Sequence, residues 1–120
     1  MPKDMSADKR YELGMAIQYK EREIDELSQE KRNFENQLEN FHGQMHQNFM
    51  RTAGLYEKMA RSGNRQAENE LSTDYEVERT MNQMMEQQLS EFEEGYRQKR
   101  NQLEDEIEAT HRERNALPWD

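Results

Sequence analysis

Residues 61–70 read RSGNRQAENE and stand at the midpoint of a 120-residue chain. They lie between two long runs of heptad-like sequence. They are either the middle of one continuous rod or the place where the chain folds back. Upstream, apolar residues fall at 4,3 spacing: Leu13, Ile17, Ile24, Leu27, Phe34, Leu38, Phe41, Met45, Leu55 and Met59. Lys20, Lys31, Asn48 and Thr52 fill the remaining positions of that register, so ten of fourteen are apolar. This is the pattern of an amphipathic helix. Downstream the string is Leu71, Tyr75, Met85, Leu89, Phe92, Tyr96 and Leu103, with Glu78, Asn82 and Lys99 in register and Ile107 one residue late. Extended unbroken, the first register would place its core positions at 73, 80 and 87, whereas the second places them at 75, 82 and 89. Continuous coiled coils absorb insertions of three or four residues. An offset of two is neither, so one seam does not run through 61–70.

Local chemistry agrees. Ala67 is the one apolar residue between Ala60 and Leu71. Ser62, Gly63 and Asn64 form a turn cluster in which Gly63 can close one helix and Asn64 can cap the next. Thr73, three residues before Glu76, is a second possible start with capping-box spacing; the earlier start gives arms of near-equal length. The reading is all-α: two long antiparallel helices in one coiled-coil hairpin. It has helix 1 over about 7–61, a turn over about 62–65, helix 2 over about 66–115 and a tail at 116–120. Ser6 is the expected N-cap, with Asp8 in the first turn. Pro118 sets the fraying point near Asn115. Folding at Gly63 pairs residues whose numbers sum to about 126 or 127: Phe34 with Phe92, Leu38 with Leu89, Phe41 with Met85, Ile24 with Leu103, Leu55 with Leu71 and Lys20 with Glu106.

Composition narrows the function. Hydrophobic residues make up 32% and charged residues 36%, too polar for a globule with a large closed core but suited to helices that bury one stripe. Net charge is −9, divided as −2 over residues 1–60 and −7 over 61–120. That disfavours nucleic acid and anionic membrane surfaces as partners. There is no cysteine, and no apolar run approaches the length of a membrane span. The N-terminal MPKDMSADKR has no apolar core of a cleavable signal peptide.

No catalytic constellation can be placed. The chain has no glycine-rich phosphate loop, no strand pattern and no nucleophile arrangement, so the expectation is a protein that is not an enzyme and takes no cofactor. His42 and His46 have the i, i+4 spacing of metal ligands, with Glu86 the nearest conceivable third group across the hairpin. A metal needs three or four ligands, so two solvated histidines and no metal site are expected. The acidic run EFEEGY at 91–96 reads as a solvated face, with a basic partner surface as the sharper alternative. Gly14, Gly43, Gly54 and Gly95 mark candidate bends or close helix contacts.

Two helices alone bury little apolar surface, so a protein partner is expected. Phe49 and Tyr56 lie just off the first seam, and Val77, Met81 and Met84 lie outside the second. With the adaptable methionines clustered near the turn, they form the candidate partner-binding set. The blander reading is that they only broaden the core stripe. Trp119, the single tryptophan, sits in the tail and is a further candidate contact.

An acidic, cysteine-free hairpin of this length resembles the small helical hairpins of bacterial type VII secretion. In WXG-motif proteins the turn carries Trp-x-Gly and a Tyr-x-x-x-Asp/Glu motif follows the second helix. Here the turn reads Arg61-Ser62-Gly63, with the glycine but without the tryptophan. Tyr96 is followed four residues later by Arg100, and Tyr19 and Glu23 have the motif's spacing only in the first helix. The chain therefore looks more like the divergent hairpins encoded beside LXG toxins. That likeness spans the whole hairpin and is one of architecture. It implies a targeting factor or chaperone that binds a toxin's helical LXG domain together with a second small hairpin. It also implies a place in the bacterial cytoplasm, or export with the client. The alternatives are a homodimeric structural four-helix bundle without a client and, third, a prefoldin-like holdase. The last fold needs β-hairpins, and residues 50–75 show no period-2 alternation.

Overall fold

The structure is a computed structural model and describes residues 6–118. Two helices account for nearly all of it: α1, Ala7–Arg61, and α2, Arg65–Asn115. They pack against each other as a helical hairpin, and no strand occurs among the described residues. The Ser6 carbonyl accepts the first α1 hydrogen bond, from the Arg10 N–H at 2.8 Å, which places Ser6 at the N-cap. Each helix carries an acid in its first turn, Asp8 or Glu68, and bases in its last, Lys58 and Arg61 or Arg112 and Arg114. These charges complement the helix dipole at both ends. Along α2, Glu94–Gln98, Arg100–Glu104, Gln102–Glu106 and Glu108–Arg112 pair at i, i+4 on the exposed side.

The turn is short. The Asn64 N–H donates to the Met59 carbonyl at 3.2 Å and the Gly63 N–H to the Ala60 carbonyl at 2.9 Å. Together these bonds form a Schellman motif, with Gly63 at a φ of 87°. Asn64 ends that motif and opens α2, its Oδ1 accepting the Ala67 N–H at 3.1 Å. Thr73 therefore lies inside α2 and starts nothing.

The chain divides into two compact units. The terminal unit comprises Met1–Arg32 and Glu93–Asp120; the turn unit is Asn33–Phe92. In the terminal unit Leu13, Ile17 and Leu103 are buried, and Lys31 lies over the Tyr96 ring at 4.9 Å. Lys20 reaches Glu106 at 3.8 Å, as the fold-back pairing requires. Arg10 is also buried and donates from Nη1 to the Pro118 carbonyl at 3.1 Å. Thr110 is buried too, with its hydroxyl donated to the Glu106 carbonyl at 2.7 Å. The Arg114 guanidinium packs over Gly14, within 3.7 Å of where a Cβ would stand. Gly43, Gly54 and Gly95 face open space, so they mark no close helix contact.

In the turn unit Phe34 stacks on Phe92 with ring centroids 4.1 Å apart, the pairing expected from folding at Gly63. From Phe41 onward, however, the buried stripe leaves the 4,3 register, of which only Met45 and Thr52 stay on the inner side. It passes instead through Phe49, Ala53, Tyr56 and Ala60, while Phe41, Leu55 and Met59 are 51%, 61% and 46% exposed. The expected seam pairs of Phe41 with Met85 and Leu55 with Leu71 are corrected accordingly. On α2, Asp74 replaces Tyr75 on the inner side, and Ala67, Met85 and Leu89 continue the stripe. The cause is geometric. A helix near 3.6 residues per turn drifts by roughly 20° per heptad against a 3.5-residue repeat. Residues seven apart, such as Phe41, Asn48 and Leu55, rotate outward, while Phe49 and Tyr56 rotate in.

Candidate partner-binding surface

Seven large apolar side chains of the turn unit are exposed: Phe41, Met50, Leu55, Met59, Tyr75, Val77 and Met84. Their placement on the two helices decides what they can do. At about 100° per residue, Phe41, Leu55 and Met59 share one flank of α1, and Val77 and Met84 share one flank of α2. These flanks belong to the same side of the turn unit. An open groove there is lined by Phe41, Gln44 and Asn48 from α1 and by Asp74 and Met81 from α2. Phe49 and Tyr56 also line that groove. A smaller depression beside it involves Thr73, Val77, Thr80 and Met81.

Away from that side stand Met50 and Tyr75, among polar residues. His46 Nδ1 lies 2.7 Å from Glu78 Oε1, and the Tyr75 hydroxyl donates to Glu57 Oε1 at 3.4 Å. Both contacts cross from α1 to α2 and brace the hairpin there. His46 is thus engaged by Glu78, and its ring stacks with that of His42, with centroids 6.5 Å apart. No group of three or more potential metal ligands from His, Cys, Asp and Glu occurs among the described residues. In the acidic run, Glu94 pairs with Arg97 and Gln98 and Glu91 accepts from Gln87.

The candidate residues separate into two roles. Val77 and Met84, 43% and 56% exposed, stand on the surface. Phe49, Tyr56 and Met81 are half-buried and serve as its floor. Ser62, Gly63 and Asn64 form the turn as expected. Trp119 lies outside the described residues. The sequence register missed Phe41, Leu55 and Met59, which it placed in the seam and which the fold presents outward. The drift of a 3.6-residue helix was the available signal. No family model, curated protein or solved structure matches the chain. No described helix is long and apolar enough to cross a membrane.

Among the described residues one buried side-chain oxygen has no protein partner. Asn82 Oδ1, on the inner side of α2, is shielded from solvent and accepts no hydrogen bond. Polar groups placed in a helical seam select register and partner at a cost in stability.

Proposed function

We propose that the chain is a non-enzymatic protein-binding adaptor: a targeting factor or chaperone that presents the apolar side of its turn unit to the helical LXG domain of a type VII-secreted toxin. The observation that carries this is the exposure of Phe41, Leu55, Met59, Val77 and Met84, five of the seven exposed large apolar side chains of the turn unit, on one side of it. Large apolar side chains exposed along a groove between two helices mark a protein-interaction site, and Gln44, Asn48 and Asp74 add polar contacts within it. Its methionines can re-pack around a partner helix, and a groove between two helices suits an amphipathic helix as occupant. The architectural resemblance supplies the client class. The same reading puts a second small hairpin in the complex, and places the protein in the bacterial cytoplasm or exported with its client.

The test is affinity capture of the tagged protein from its native host, read by mass spectrometry, followed by reconstitution with the captured LXG domain. Recovery of an LXG toxin is expected, with binding lost in Val77→Asp and Met84→Asp while helicity is kept. Capture without any LXG toxin overturns the client assignment. Undiminished binding by both variants overturns the face.

A further inference from the structure

The apolar side of the turn unit carries a charge pattern that points to one occupant. On α1 its outer rim repeats every seven residues as Gln44, Arg51 and Lys58. Both bases are exposed, and no acid shares that rim between residues 41 and 61. On α2 the corresponding flank repeats as Glu70, Val77, Met84 and Glu91, Asp74 lines the groove at its inner edge, and no base shares that side between residues 66 and 91. The α1 side of the face thus carries only positive charge and the α2 side only negative. A surface of that kind is complementary to itself.

We infer that, without a client, a second copy of this chain covers the face, with both turns at the same end and α1 of each copy lying over α2 of the other. A two-fold axis running along the helices achieves this. It makes every neighbouring helix pair antiparallel, and it lays the basic α1 side of each copy over the acidic α2 side of its partner. By distance along the chain from Gly63, Lys58 comes level with Glu70 of the other copy and Arg51 with Asp74. The apolar residues of the two faces meet between these charges. The opposite arrangement, with turns at opposite ends and α1 over α1, sets Arg51 and Lys58 against their own copies and acids against acids. Like charges placed across an interface disfavour it.

The inference rests on the same turn-unit face as the adaptor reading but needs no client, so each can fail alone. The purified full chain is measured by light scattering and, with Ser62→Cys carrying a spin label, by pulsed dipolar spectroscopy. The chain lacks other cysteines. The expected mass is twice the monomer's 14.6 kDa. Labels at the two turns should lie within roughly 20 Å, about two interhelical spacings. Arg51→Glu with Lys58→Glu should halve the mass at unchanged helicity. Adding Glu70→Lys and Asp74→Lys to that same chain should restore it. A monomeric wild type, or a dimer whose turns lie on the order of 45 Å apart, one turn-unit length at 1.5 Å per residue, overturns the inference. So does a double charge reversal that leaves the dimer intact. If the wild type is monomeric yet still captures its client, the inference fails and the adaptor reading stands. If the dimer forms but no client is found, the reverse holds.

Discussion

Gly63 and Asn64 share the work of reversing the chain within three residues. The φ of 87° at Gly63 is open to glycine and costly for any residue with a Cβ, although nothing stands within 4 Å of where that Cβ would be. The penalty of Gly63→Ala therefore comes from the local backbone conformation, with no clash against the rest of the fold. It should be about 1–2 kcal/mol, read as a lower midpoint in urea at unchanged slope. An alanine as stable as the wild type would show that the turn takes another conformation in solution. Asn82 makes the opposite case. Its shielded Oδ1 lacks a protein donor, and an unsatisfied acceptor of that kind costs about 1–3 kcal/mol. Asn82→Leu should stabilise the hairpin by on the order of 1 kcal/mol. Stability lost on that change would mean that the amide is satisfied in solution.

At the scale of the helices, the turn, both caps and two pairs of the fold-back pairing could be read from sequence, because the turn and caps rest on local chemistry and those pairs follow from them. Ser-Gly-Asn has few alternatives, and Phe34–Phe92 and Lys20–Glu106 follow from folding at Gly63. The face could not be read as well, because heptad counting assumes a 3.5-residue repeat along the whole of α1. That assumption holds as far as Leu38 and fails at Phe41, Leu55 and Met59. The small residues reveal the failure. Ala53 and Ala67 are 5% and 2% exposed, and they sit where the two helices of the turn unit meet. In the heptad register Ala53 lies off the seam, where a larger side chain would be harmless. In the observed packing Ala53→Leu overfills a closed contact and should destabilise by about 1–3 kcal/mol. Thermal unfolding of that one variant separates the two registers, since an unchanged or raised midpoint would restore the strict heptad.

Across the whole molecule, the two units bury different kinds of core. The terminal unit closes around Leu13, Ile17 and Leu103, with Arg10 and Thr110 tied to backbone carbonyls. The turn unit closes around Met45, Met85 and two alanines, and leaves larger apolar side chains outside. Alanine contributes little burial, at roughly 25 cal/mol per Å² of apolar surface, so the turn unit should open more readily in dilute protein. Hydrogen exchange then tests the local stability and the proposed self-association together. Amides of 45–60 and 67–85 should exchange faster than those of 10–27 and 100–112 at low concentration. Raising the concentration should slow the first group and leave the second unchanged. Any partner that binds only the folded face adds RT ln(1 + [L]/Kd), about 2.7 kcal/mol at a hundredfold excess over Kd. That corresponds to a slowing of roughly a hundredfold, confined to the turn unit, for a second copy and for a client alike. Exchange that is uniform along both helices and indifferent to concentration would mean that the exposed side chains of the turn unit are covered by neither.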